Sequence, residues 1–353
     1  MATISDVARE AGVSIATVSY VLNKSKRVNP ETAKKVSLAI KSLNYRPSRI
    51  AQSLVTKSTQ IISVLISDIT DPFFAPIVRG IEDVASESGY VVMIGNSDED
   101  CTKTKNYFDV LGRHRIDGLI ISPTEGIEQM GLLNDLDIPM VFVNRKAAKD
   151  QVDVVETDNQ LGSIIAIRHL ASLGHSRIGI VSGPNSVSTY AGRLKGYEMG
   201  LAEAGLPIDR ELIRSGSYHA DSGYRLTLEL LNLETKPTAL FITSGRLTQG
   251  AFRAIKGSGI SIPKQLSLVC FDETEWSNLV DPPLTTIAQK TYQLGQMAAR
   301  ILLERLAKRE RDNARYDWDE NFILEPDLTI QNIKIPPELI IRDSSGPVPS
   351  KRS

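Results

Sequence analysis

The sequence predicts a small all-α helix-turn-helix head, followed by an α/β body of two doubly wound parallel-sheet lobes. Three observations carry this. Residues 1–47 hold capping and stop signals for three short helices. Between residues 60 and 343, near-continuous apolar runs alternate with helical patterns, as parallel strands covered on both faces require. Nine such runs exceed one comfortable sheet, so the body divides into two lobes with a cleft between them. A length of 353 residues agrees with two or three domains.

In the head, Thr3-Ile-Ser-Asp6 has capping-box form, an apolar pattern of Ile4, Val7, Ala8 and Ala11 follows, and Gly12 suits the positive-φ stop. Ser14 caps a second helix carrying Ile15, Val18, Val21 and Leu22. Asn29-Pro30 puts a capping side chain before a proline at the first helical position, and Val36, Ile40 and Leu43 form a buried stripe. Pro47 ends this third helix. Two short helices joined by a glycine-containing turn, with a supporting third, describe a helix-turn-helix unit. Residues 48–59 read as a linker too short for a stable isolated helix. An exposed Leu54 with a small Ala51 before it also suits a minor-groove wedge.

In the body, strands are expected at Ile61–Ser67, Tyr90–Asn96, Gly118–Ser122, Met140–Asn144, Val152–Thr157, Arg177–Ser182, Ala239–Thr243, Ser267–Phe271 and Leu339–Arg342. Helices are expected near 73–88, 102–114, 161–174, 190–205, 220–233, 247–258 and 290–309. The polar stretch 308–332 reads as a surface loop or an added strand, and 344–353 as a disordered tail.

Charge is distributed unevenly. Residues 1–60 carry ten Lys/Arg against three acids, a balance of +7, while the rest of the chain carries −8. A basic head on an acidic body is the electrostatic footprint of a polyanion partner. In a helix-turn-helix unit the second helix enters the major groove. Its base-facing candidates are Ile15, Ala16, Thr17 and Tyr20, with Ser14, Ser19 and Asn23 placed for phosphate or cap hydrogen bonds. Ile15 and Ala16 offer only apolar contact, so direct readout leans on shape and Tyr20. Thr3, Asn29 and Thr32 at helix starts, Tyr45, and Ser48, Arg49, Ala51 and Leu54 of the linker complete the DNA-contact set.

In open parallel sheets, ligands bind beyond the carboxyl ends of the strands. The segments found there are Asp68–Phe74, Asp158, Gly183–Tyr190 leading to Arg193, Ser244-Gly245-Arg246 and Asp272; Tyr218 stands in a short polar segment before a helix. Carboxylates accept paired hydroxyls, a guanidinium donates in a fork, and rings cover apolar sugar faces. This equipment suits a polyhydroxylated molecule. Asp158 and Asp272 can also be read as helix caps, and Arg193 as a surface ion pair. Arg193 with Arg246 would also suit an acidic or phosphorylated sugar.

No phosphate loop, zinc-protease motif or nucleophile elbow occurs. The four histidines are scattered and the two cysteines read as ordinary residues. No catalytic residue, metal site or cofactor is therefore expected, and the protein is read as a non-enzyme. The N-terminus lacks a cationic run before an apolar segment and no stretch spans a bilayer, so a cytoplasmic location is expected.

The string Thr3-Ile-Ser-Asp-Val-Ala-Arg-Glu-Ala-Gly-Val-Ser-Ile-Ala-Thr-Val-Ser-Tyr-Val-Leu-Asn23 resembles the LacI/GalR family of bacterial transcription regulators. So do Val28-Asn-Pro-Glu-Thr32 and Leu43-Asn-Tyr-Arg-Pro-Ser-Arg-Ile-Ala-Gln-Ser-Leu54, and the likeness runs through Asp71-Pro-Phe-Phe74, Gly192–Gly196, Phe271-Asp272 and Pro283–Thr286 to about Asp343. The resemblance implies periplasmic-binding-protein-like lobes joined by three crossings, near 159–161, 286–290 and 323–326. The first lobe then spans about 60–159 and 290–323, and the second about 161–286 and 326–343. It also implies a homodimer on a palindromic DNA operator, with residues 48–54 folding as a hinge helix. Effector contacts map onto Phe74, Asp158, Arg193, Tyr218 and Asp272, and then onto Phe73, Thr189 and Ser244. Tyr20 departs from the arginine many members carry there, and Ser244-Gly245 from their Asn-Asp. The function read here is a repressor released by a sugar or sugar derivative. The alternatives are a purine-like or protein corepressor, and a sugar-binding protein or enzyme with an incidental head.

Overall fold

A computed structural model describes residues 2–23, 28–45, 58–114, 116–147, 152–316 and 329–348. The chain forms two compact units, Met1–Thr59 and Gln60–Ser353.

The first unit holds helices α1 (Ile4–Ala11), α2 (Ile15–Asn23) and α3 (Pro30–Ser42). Thr3 and Asp6 close a reciprocal capping box: the Thr3 N–H donates to Asp6 Oδ2 (2.9 Å) and the Asp6 N–H to Thr3 Oγ1 (3.3 Å). Gly12 ends α1 at φ 64°, the left-handed region glycine enters without penalty. Ser14 Oγ accepts from the Thr17 N–H (3.1 Å), and Asn29 Oδ1 from the Glu31 N–H (2.9 Å). Val7, Ala8, Val18, Val36 and Ala39 make the core, with Val21, Leu22 and Tyr45 packed against it. α3 stops at Ser42 with Leu43 as its C-cap, earlier than the expected end at Pro47.

The second unit contains two six-stranded sheets. The first is ordered β11-β5-β4-β3-β1-β2 and the second β12-β10-β9-β8-β6-β7. The strands are β1 Ile61–Ile66, β2 Val91–Asn96, β3 Gly118–Ile121, β4 Met140–Val143, β5 Asp153–Thr157, β6 Ile178–Ser182, β7 Ile213–Ser215, β8 Ala239–Ile242, β9 Ser267–Phe271, β10 Thr285–Ala288, β11 Asn332–Ile335 and β12 Glu338–Ile340. All pair in parallel except β10 with β12. Helices cover both faces. On the first sheet, Phe74–Glu87 and Thr291–Tyr316 bury Ile77, Ile81, Leu294 and Leu302 against Ile62, Val64 and Val141. Phe108 and Leu111, from helix Cys101–His114, cover the other face with Leu119 and Phe142. Each such fully buried side chain contributes roughly 1.5–3 kcal/mol through burial.

In each lobe the chain places its second strand on one side of its first and its third on the other. Both sheets therefore have a topological switch point, and the crevice at the strands' carboxyl ends is where ligands bind. The chain crosses between lobes after β5, between β10 and the helix Thr291–Tyr316, and between β11 and β12 at Pro336-Pro337. The first two crossings lie where expected. The third does not, because the short segment Asn332–Ile335 pairs in parallel with β5 and so belongs to the first lobe. The expected lobe limits at 323 and 326 move accordingly.

The beginning of the expected disordered tail is also corrected. Ser344 is fully buried; its Oγ donates to the Leu268 carbonyl (2.7 Å) and accepts from the Thr285 N–H (2.8 Å). The Val348 N–H donates to the Leu173 carbonyl (2.9 Å). Residues 344–348 are thus hydrogen-bonded to the second lobe.

Candidate functional site

The loops after β1, β4, β6, β8 and β9 converge on an interlobe cavity open to solvent. Seven expected effector residues meet on its wall: Phe73, Phe74, Thr189, Arg193, Tyr218, Ser244 and Asp272. Phe73 and Phe74 stack edge to face, centroids 5.2 Å apart. Asp158 is not among the lining residues. Its Oδ1 accepts from the Leu161 N–H (3.0 Å) at the start of the helix Asn159–Ser172, so its side chain is spent as a cap.

Arg193 is no surface ion pair. It is only 4% exposed. Its Nε donates to Asn159 Oδ1 (2.8 Å) and its Nη1 to the Thr243 carbonyl (2.5 Å), with the guanidinium 3.7 Å above the Phe271 ring. Burial pushes its pKa down and the nearby Asp272 carboxylate opposes that. Guanidinium carries five N–H donors, so others remain for the cavity. Asp272 holds a left-handed φ of 77°, strained for a residue with a Cβ. Its Oδ2 accepts from the Gly245 N–H (2.9 Å) and its Oδ1 from Gln289 Nε2 (2.5 Å). It therefore caps the helix Gly245–Gly257 while lining the cavity. Ser244 Oγ accepts from the Leu247 N–H (3.4 Å) at the same helix start.

Several wall residues were not singled out from the sequence. Arg145 and Glu99 form a buried ion pair, and Arg145 Nε has no hydrogen-bond partner. Asn144 and Gln289 join them; Tyr190, the end of the expected segment Gly183–Tyr190, lines the same wall, its phenol pushed up in pKa by burial. Asn144-Arg145 directly follow β4, and Glu99 stands three residues after β2, so reading on from every strand end would have found them.

Arg246 crosses the cleft. It lies 2.7 Å from Asp68 and 3.5 Å from Asp71, and donates to Thr70 Oγ1 (2.7 Å). Burial raises the Asp71 pKa; the Phe73 N–H opposes this and the Asp272 charge adds to it. The pairing counts against Arg246 as a receptor for an acidic ligand. Four carboxylates (Asp68, Asp71, Glu99, Asp272) face three guanidiniums (Arg145, Arg193, Arg246) around the cavity.

In the head, Ser14, Ile15 and Ala16 are exposed at the start of α2, while Thr17, Ser19 and Tyr20 are half-buried. Thr3, Ser14 and Asn29 act as caps, Thr32 is half-buried on α3, and Tyr45 packs on the core. The Asn23 side chain and Ser48, Arg49, Ala51 and Leu54 lie outside the described residues. Among the described residues, no His/Cys/Asp/Glu group is placed to hold a metal ion, and no helix is long and apolar enough to cross a membrane.

The family model for the lacI family of bacterial regulatory proteins matches residues 3–48. The model for periplasmic binding proteins and the sugar binding domain of the LacI family matches residues 59–322. The chain belongs to the LacI family. It is 36% identical over 345 residues to the HTH-type transcriptional repressor PurR of Actinobacillus pleuropneumoniae serotype 3 (strain JL03), covering 98% of both chains. It is similar to the lac repressor dimer bound to operator and the anti-inducer ONPF, at TM-score 0.81 and 29% identity over 98% of this chain and 99% of that one. It also resembles the transcriptional regulator CelR in complex with cellobiose, at TM-score 0.72 and 27% identity over 98% of this chain and all of that one. As a LacI-family member it is a DNA-binding transcriptional repressor with a small-molecule effector. These three relatives are regulators, not enzymes.

Proposed function

We propose that this LacI-family repressor is a cytoplasmic homodimer that grips a palindromic operator and releases it when a neutral sugar or sugar derivative enters the interlobe cleft. The observation that carries the effector class is the internal pairing of the cavity's charges. Arg145 and Arg246 already hold carboxylates, and Arg193 holds an amide and a carbonyl. A phosphate or carboxylate ligand would meet a net-negative wall, whereas hydroxyls find acceptors, and Phe73 and Tyr218 offer ring faces. The cellobiose bound by CelR supports the same class.

In this reading, residues 48–59 form the hinge, and Leu54 wedges into the operator's minor groove. Ile15, Ala16, Thr17 and Tyr20 face the bases. Sugar binding alters the angle between the lobes and so the spacing of the two heads. The size of that shift equals the sugar's differential affinity for the two states. Exposed Val91, Met93 and Ile94 on the edge strand β2, with Val110, suit a partner protomer, since a bare apolar edge invites pairing.

The test is anisotropy of a labelled operator duplex titrated with sugars and their phosphates. A neutral sugar releases the duplex at concentrations at least about tenfold below its phosphorylated counterpart. Release by phosphorylated sugars alone overturns the effector class. A purine-like corepressor is the second reading, because the same ring faces accept a planar base, and it would tighten the complex instead.

A further inference from the structure

Arg246 stands in the first turn of the helix Gly245–Gly257 and reaches from the second lobe into the loop after β1 of the first. Its Nη2 lies 2.7 Å from Asp68 Oδ2 and donates to Thr70 Oγ1 (2.7 Å), and its Nε lies 3.5 Å from Asp71. The loop holds both acids in place beforehand. Asp68 Oδ1 accepts from the Thr70 N–H (2.8 Å) and hydroxyl (2.7 Å), and Asp71 Oδ1 accepts from the Phe73 N–H (3.0 Å). The Arg246, Asp68 and Asp71 side chains are 22%, 21% and 28% exposed. Their charges are sheltered enough to act strongly and wet enough for salt to reach them. Elsewhere along the cleft the lobes touch through a neutral contact, the Lys146 N–H donating to Ser188 Oγ (3.1 Å).

We propose that Arg246 is an electrostatic clasp that sets the resting angle between the two lobes, whichever ligand the cavity takes. Its removal reverses the sign of the force between them. With Arg246 present, the two carboxylates of the first lobe are drawn to the second. Without it, they face Asp272 of the second lobe, whose charge already acts on Asp71 across the cleft. The other guanidiniums of the cavity wall do not stand in for it. Arg145 holds Glu99, and Arg193 holds the Asn159 amide and the Thr243 carbonyl. Like charges facing one another then push the lobes apart, where opposite charges had held them together. The clasp is therefore a contact whose strength depends on lobe angle, which is what biases a two-state hinge.

The test is the distance between spin labels at Glu87→Cys and Lys256→Cys in the full-length protein carrying Cys101→Ser, diluted into unlabelled protein. Both positions are exposed, near the far ends of the helices Phe74–Glu87 and Gly245–Gly257, whose first turns flank the clasp. With Arg246 intact, raising salt from about 0.05 to 1 M should lengthen the separation by screening the attraction. Arg246→Met should lengthen it by more than about 2 Å at low salt. Added salt should then shorten it, by screening the repulsion. Arg246→Lys, which keeps the charge, should stay near the parent distance, and adding Asp68→Asn and Asp71→Asn to Arg246→Met should return the separation part of the way. An unchanged distance in Arg246→Met overturns the clasp, and so does a salt response of the same sign in both proteins. Should circular dichroism show Arg246→Met unfolded, the parent protein and Asp68→Asn decide: a parent distance that ignores salt, or a response left whole by Asp68→Asn, overturns it equally.

Discussion

Replacing Arg193 by alanine is expected to cost stability as well as effector response, and the structure sets the size of the loss. Truncation strands two buried acceptors, Asn159 Oδ1 and the Thr243 carbonyl. Each unpaired buried acceptor costs about 1–3 kcal/mol. The guanidinium also leaves the Phe271 face, a desolvated contact of about 2 kcal/mol. Against this, the fold no longer buries a charge whose desolvation already pushes the Arg193 pKa down, which returns part of the sum. A net loss of about 2–4 kcal/mol follows, large beside the roughly 5–15 kcal/mol of a typical domain. Urea unfolding followed by circular dichroism measures it, with operator release as the parallel readout. Arg193→Lys, which keeps the charge but gathers its donors on a single nitrogen, should fall between wild type and alanine. A stability change below about 0.5 kcal/mol would refute the reasoning and leave Arg193 as a ligand donor alone.

The tail contacts predict a pH dependence. His175 Nε2 pairs with the Gly346 carbonyl (3.0 Å) and Nδ1 with Thr238 Oγ1 (2.9 Å), and His169 Nε2 with Ser345 Oγ (2.8 Å). Burial lowers both pKa values, and for His169 the His175 charge adds to it. Their stabilisation is therefore complete above the ordinary histidine value of 6.5 and fades as pH falls below it. Thermal unfolding midpoints should drop from about pH 7.5 to about pH 5.5, and drop less in His175→Gln; an equal drop in both proteins would contradict this. Asp71 and Glu156, raised by burial, act in the opposite sense and at lower pH. A Cβ on Gly250 would stand 1.7 Å from the Ala220 carbonyl oxygen, so Gly250→Ala should cost about 3 kcal/mol. Gly257→Ala, with open space around it, should be neutral or stabilise by up to about 1 kcal/mol, and equal unfolding curves for the two variants would deny the close helix approach. Tyr20→Arg should change the half-site selected from randomised duplexes, and an unchanged motif would remove Tyr20 from base reading.

The sequence was most legible where local signals act alone. Thr3, Gly12, Ser14 and Asn29 announce their caps because a cap is a three-residue event, and buried runs such as Ile61–Ile66 are too apolar to be anything but interior. Legibility failed where pairing is remote. Asn332–Ile335 is a short half-polar segment that becomes a strand only because β5 lies beside it. β7 and β10 are three and four residues long and escape a periodicity reading. Ser344-Ser345-Gly346 has the composition of a free tail, yet it is fixed by Leu268, Thr285 and His175, all distant in sequence. In the candidate site, the family resemblance, laid over the strand ends, gathered seven of eight expected residues on one wall. It could not tell Asp158, whose side chain caps a helix, from Asp272, which caps a helix and lines the cavity as well.

The most direct measurement is selection of duplexes from a randomised pool by the purified full-length protein at moderate ionic strength, followed by titration of the winning duplex with neutral sugars. One palindromic motif should emerge, its affinity should fall steeply with added salt, and at least one sugar should release it. Enrichment of no motif, or a winning duplex that every sugar leaves bound, would contradict the coupling between the basic head and the cleft.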